Sequence, residues 1–197
     1  MDYRTDRKML GMVEGAHFDS DSENLIKPTK TTFGANLDYT LHAYPNHHRA
    51  LVTLVRLSER ERTAQPAGSR YTVDCWFRRA IRFVPDDLIV RMLYANYLGK
   101  IGQKEKGLVQ LAAVAYQAED DGAAHYNLGL IYLDWSMFDK ALVHAQRAQA
   151  LGHPFTELQA RLEALGRWRE AGPPVAAAAA ASASAKAAST PGTAAVR

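Results

Sequence analysis

Between Ala123 and Ala150 the apolar positions fall at helical spacing in two successive runs. Tyr126, Leu128, Gly129, Ile131 and Tyr132 lie on one stripe of a first helix. A glycine inside such a stripe costs about 1 kcal/mol of helix propensity relative to alanine, so Gly129 predicts a place where another helix comes close. The second run, from about Met137, offers Ala141, Ala145 and Ala148 along one face, small enough to receive Leu128 and Tyr132. Gly152 suits a helix end, and Pro154 cannot continue the helix.

Similar spacing predicts helices on either side. Asn46–Arg60 reads as a helix capped by Asn46, with Leu51, Leu54, Val55 and Leu57 as its buried stripe. Tyr71–Phe83 is its partner, and QPAGS at 65–69 is loop composition between them. Asp86–Leu98 carries acids in its first turn, as the helix dipole prefers, and Gln103–Gln117 returns. Gly122–Leu133 and Met137–Leu151 make the clearest pair. Phe155–Trp168, with Leu158, Leu162 and Leu165 on one face, reads as a closing helix that covers the last exposed core.

Asn36–Tyr44 fits two templates. Leu37, Tyr39, Leu41 and Ala43 alternate like a strand, whereas Leu37, Leu41 and Tyr44 share a helical face; the position just before Pro45 favours the helix. Residues 1–35 are polar and broken by Gly11, Gly15, Pro28 and Gly34. They read as an irregular arm with one short helix near Asp19–Ile26, capped by Ser20 or Asp21 and anchored through Leu10, Met12, Val13 and Phe18. Residues 171–197 are alanine-rich with no stripe to bury, so a disordered tail is expected.

The elements recur with a period of about 34 residues, the length of a tetratricopeptide repeat. At that step Gly129 corresponds to Ala95, Ala141 to Gly107 and Glu119 to Pro85. Pro45 stands 40 residues before Pro85, a surplus that the 65–69 loop absorbs. With NLGxxY at Asn127–Tyr132 followed by Ala141 and Ala148, and FxxAxxxxP at Phe77–Pro85, the stretch Pro45–Leu165 resembles the bacterial tetratricopeptide repeat proteins. Residues 86–119 depart from the pattern, since Gly107 replaces the usual alanine and no proline ends the unit. The resemblance implies an all-α, right-handed superhelical stack of antiparallel pairs over 36–170, with pairs near 46–83, 86–118 and 121–151 and the closing helix near 155–169. It implies a non-catalytic scaffold or adaptor that binds a protein or peptide in its concave groove.

Charge and candidate chemistry change this picture little. Hydrophobic content of 47% is inflated by the tail, and a net charge of +3 does not by itself point to nucleic acid. Arginines at 49, 56, 60, 62, 70, 78, 79 and 82 make the first repeat basic. A solvated helix face is the commoner source of such charge; an acidic partner or a phosphate backbone is the alternative. The lone Cys75, beside Trp76, is expected to be a buried spectator thiol. His42, His47 and His48 cluster without the spacing of a known metal site, and Ser58, Ser69 and Ser136 have no paired base. No cofactor is implied. No apolar run reaches membrane-spanning length, and no signal peptide is visible, which places the chain in the cytoplasm. The stretch up to Leu51 is similar to the leader of some bacterial tetratricopeptide proteins with an export signal just upstream; a start at an internal methionine would make the location periplasmic.

The resemblance also implies site residues. In tetratricopeptide domains that clamp a peptide C-terminus, two asparagines on successive first helices hold the ligand. Asn96 and Asn127 stand at those places, and Arg161 at the place of an arginine. Met92 and Glu157 occupy the two lysine places, and Lys100 and Tyr126 are candidate neighbours. Two further classes stay open: a structural subunit of a homo- or hetero-oligomeric assembly, and a metal-dependent enzyme built on the histidine-rich turn.

Overall fold

The computed structural model describes residues 1–29, 31–154 and 156–170. The expected disordered tail, and Phe155 at the start of the expected closing helix, lie outside these residues. The described residues contain helices and no strand: α1 (Leu10–His17), α2 (Ser20–Glu23), α3 (Phe33–Ala43), α4 (His48–Glu61), α5 (Val73–Phe83), α6 (Leu88–Lys100), α7 (Lys104–Gln117), α8 (Gly122–Asp134), α9 (Phe138–Ala150) and α10 (Glu157–Ala164). None of them is long and apolar enough to cross a membrane. The helical reading of residues 36–44 holds over the strand alternative. Thr32 caps α3 through the Ala35 N–H, and Leu37 and Leu41 are both fully buried on its inner face.

The helices fold back on one another across short turns, α6 on α7 and α8 on α9 most extensively. A second set of contacts joins alternate helices, α4 to α6, α6 to α8 and α8 to α10, so these four stand in a row. The row explains a sequence feature. α4 and α5 each show one apolar face, whereas α6 and α8 are apolar nearly all round because neighbours cover them on several sides. Among the described residues two large apolar clusters and a third, small one of Leu10, Val13 and Tyr44 fill the interior. One large cluster gathers Phe18 with α3, α4, α5 and part of α6; the other runs from Ala95 through α7, α8 and α9 to Leu158 and Leu162.

Gly129 is the close approach that its place in the stripe predicts. A Cβ there would lie 2.3 Å from Leu158 Cδ2 and 3.4 Å from the Ala141 carbonyl oxygen. Ala50, Leu51 and Ala95 are likewise fully buried. Gly107, the departure from the repeat pattern, has its own reason. Its missing side chain leaves room for the Trp135 indole, whose Cη2 is 2.6 Å from the position a Cβ would take, and Gly99 on α6 receives the same ring at 2.7 Å. Gly152 ends α9 with φ +75°, a conformation that glycine adopts without strain, and lets the His153 N–H return to the Ala148 carbonyl at 3.0 Å.

Several local expectations are corrected. Asn46 does not cap α4. The cap is His47, whose Nδ1 accepts from the Ala50 N–H, while Asn46 is buried in side-chain hydrogen bonds. Cys75 is exposed rather than buried, because it lies on the outward face of α5 while Trp76 and Phe77 take the interior. The arm contains α1 in addition to α2, and α2 is capped by Asp19 rather than by Ser20 or Asp21. α1 accommodates Gly11 and Gly15 on its open side, and Leu10 and Val13 pack against Tyr44. Phe18 is also buried, but Met12 points outward at 66% exposure and anchors nothing.

Candidate functional site

On α6, Met92, Asn96 and Lys100 are spaced one turn apart and so share a stripe. On α8, Asn127, Leu130, Ile131 and Asp134 do the same. The two stripes face one depression of about 380 Å³, which holds Asn96 and Asn127 together over Met92, Leu93, Leu130 and Ile131. A second depression of about 270 Å³ lies between α4 and α6, lined by Val52, Val55 and Phe77 as well as Asn96 and Lys100. Leu93, Asn96 and Asp134 belong to both hollows, so they form one trough across the row of helices.

The trough is apolar along its floor, and its rim carries two ion pairs and one cation, Arg56, whose acceptor is an uncharged carbonyl. Lys100 is paired with Glu59 at 2.6 Å. Asp134 is paired with Arg161 at 2.8 Å. Arg56 donates to the Glu23 carbonyl, at the margin where α2 meets α4. The amides of half-buried Asn96 and exposed Asn127 combine donors and acceptors in one group.

The expected site residues separate into two groups. Asn96, Asn127, Met92 and Lys100 line the trough, and Arg161 reaches its rim through Asp134. Met92 is floor, 7% exposed, and brings no polar group. Tyr126 does not line the trough. It is buried on another side of α8 with its ring 4.7 Å from that of His153, in a small hollow with Leu158 and Trp168. Burial pushes its hydroxyl pKa up, and the Glu157 carboxylate adds to this, so Glu157 acts on Tyr126.

Sequence reasoning missed Val52, Arg56, Leu93 and Asp134. Arg56 stands 40 residues before Asn96, the same step that separates Pro45 from Pro85, so the longer first repeat would have assigned it to the trough. Asp134 stands 34 residues after Lys100, lines both hollows and pairs with Arg161.

The three neighbouring histidines meet separate partners. His42 Nδ1 lies 2.8 Å from the Asp38 carbonyl, and His48 Nε2 lies 2.8 Å from Asp87. His47 accepts at Nδ1, which leaves Nε2 to donate to Glu14 at 3.0 Å. Burial, then the nearby Arg49 and His48 charges, pushes the His47 pKa down to about 3, so it is neutral near pH 7. Among the described residues no group of three histidine, cysteine or acidic side chains is arranged to hold a metal ion.

The first-repeat arginines also find local partners. Arg49 pairs with Glu14 and Glu23, Arg60 donates to the Leu25 carbonyl, Arg70 pairs with Asp38, and Arg79 donates to the Leu41 carbonyl. Compared with known proteins, the chain matches no protein-family model and no curated protein.

Proposed function

We propose that this chain is a non-catalytic adaptor of the tetratricopeptide kind, a right-handed superhelical stack that holds an extended protein segment in the trough formed by α4, α6 and α8. One observation carries the reading: Asn96 and Asn127, on neighbouring helices, meet over a shared apolar floor. An extended segment presents backbone N–H and C=O groups in alternation, and an amide side chain can answer either. The floor offers Met92, Leu93, Leu130 and Ile131 to the segment's apolar side chains.

At Asn96 and Asn127 this geometry favours an internal stretch over a free C-terminus, and the one trough cation without a carboxylate partner, Arg56, lies at the α2 margin. Arg161, which the family resemblance would assign to a terminal carboxylate, is engaged with Asp134, and Lys100 with Glu59. Neither cation is left over to neutralise a carboxylate in the trough.

The test is in-cell crosslinking from a photoreactive residue at position 96, followed by identification of the attached segment and its synthesis as a peptide. Asn127→Ala should weaken that peptide about tenfold, the loss of roughly one well-made hydrogen-bonding group, with the melting temperature nearly unchanged. Equal binding by variant and wild type would remove Asn127 from the site.

A further inference from the structure

Away from the trough, a cleft of about 500 Å³ opens between α5, α6 and α7. Its walls carry Arg78 and Arg82 from α5, Arg91 from α6 and Lys106 from α7. Its one carboxylate, Asp74, accepts from the Tyr94 hydroxyl at 2.5 Å and lies 3.7 Å from Arg78. Arg91 is held by the Pro85 carbonyl and Gln110, and Lys106 by Gln103, all uncharged acceptors. Among the described residues no carboxylate lies within ion-pair distance of Arg82, Arg91 or Lys106. Three of the four cations thus have no carboxylate partner, whereas Arg49 and Arg70 near by pair with Glu14, Glu23 and Asp38.

Between the cationic walls the surface is apolar. Half-buried Ile81 and Val109, 65% exposed, provide the apolar surface of the cleft, and Leu98 is fully buried behind it. The cations are spread over three helices, with Arg78 and Arg82 one turn apart on one wall and Arg91 and Lys106 on the others. A compact anion such as phosphate needs donors converging on one point, whereas these cations stand on three different helices around a cleft of about 500 Å³. This arrangement matches instead a chain that carries several spaced carboxylates on its flanks and one or two apolar side chains towards the floor.

We propose that the α5–α6–α7 cleft is a second docking surface, which takes an acidic segment of a partner protein with leucine-like anchors. Its occupancy is independent of the trough.

The test uses the full chain and a fluorescent peptide in which pairs of glutamates flank two leucines. Titration by anisotropy should show saturable binding that weakens as salt is raised. Arg82→Glu combined with Lys106→Glu should weaken binding by more than about tenfold. Val109→Asp, a change at an exposed position, should weaken it by a similar factor, and Asn127→Ala should leave it unaltered. Circular dichroism melts of the variants should match wild type, and Arg82→Gln with Lys106→Gln gives a milder pair that should produce an intermediate loss. The proposal is overturned by absent binding to wild type, or by equal binding of the charge-reversed protein. It is also overturned if tripolyphosphate or single-stranded RNA displaces the peptide and Val109→Asp has no effect, which would make the cleft a general anion surface.

Discussion

The two ends of the row of helices are joined to their neighbours by different chemistry. At the N-terminal end the junction is polar and buried. Asn46 donates to Asp2 at 2.8 Å and to Asp87 at 2.9 Å and accepts from the Tyr3 N–H at 2.9 Å. Burial opposes the charge of Asp87, but hydrogen bonds from His48 and Asn46 outweigh it and hold its pKa below the usual carboxylate range. At the C-terminal end the junction is steric: Gly129 receives Leu158, and Gly99 and Gly107 receive Trp135. A polar junction tolerates no missing partner, because the groups left behind remain buried. A steric junction tolerates no added volume.

The contrast is broken most severely by Asn46→Ala. Asp87 would keep His48 but lose its amide donor, and the Tyr3 N–H would lose its acceptor, for a cost of about 2–4 kcal/mol. Urea denaturation would measure it, and a loss below about 1 kcal/mol would show that the N-terminal junction is not held by this amide. Gly129→Leu should come next, at about 1–3 kcal/mol through overpacking against Leu158 and the α9 backbone. A variant that melts at the wild-type temperature would show that the C-terminal junction can expand.

The smallest effect concerns pH. His144 faces His125, with the two Nδ1 atoms 2.9 Å apart, and stacks on Tyr132. Burial, then the charges of His125 and Lys140, pushes the His144 pKa down to about 4. The unfolded chain takes up this proton near its ordinary 6.5, whereas the folded chain does not until about 4, so stability falls as pH drops through that window. His144→Gln should cost about 1 kcal/mol near neutrality by losing the bond to His125, and this gap should close and reverse near pH 5, where the wild type is itself penalised by about 2 kcal/mol. Melts at both pH values would show the gap closing and reversing; a constant gap would mean that His144 does not sense pH.

What could be read in advance follows the same division. Helical periodicity located the helices of the row, and the step of about 34 residues placed Gly129 and Ala95 in equivalent positions. Those features are local or periodic, so they survive in one dimension. The arm was legible only in part, because α1 owes its stability to Tyr44 and α3 rather than to its own stripe. Asn46 reads as a cap by residue type, yet its partners lie 44 and 41 positions away and leave no mark in the local pattern. The trough was legible at Asn96 and Asn127, which the clamp resemblance singles out on successive helices, and not at Asp134, which nothing in that resemblance marks. Cys75 was misplaced because its burial was read from residue type, free cysteines being commonly core residues, whereas Trp76 beside it takes the interior position.

The same two separations at Asn46 set an order of events. Its amide meets Asp87 only once α4 and α6 are side by side, and meets Asp2 only once the arm has come back across the turn. Closing such loops costs chain entropy before any bond returns it. The arm is joined to the rest by these bonds, by the small cluster of Leu10, Val13 and Tyr44 and by Arg4 with Asp86, so its opening is expected to cost less than global unfolding. Amide protons of Tyr3 and Arg4 should exchange through a partial opening that leaves the α8–α9 hairpin closed, with a free energy well below that of global unfolding.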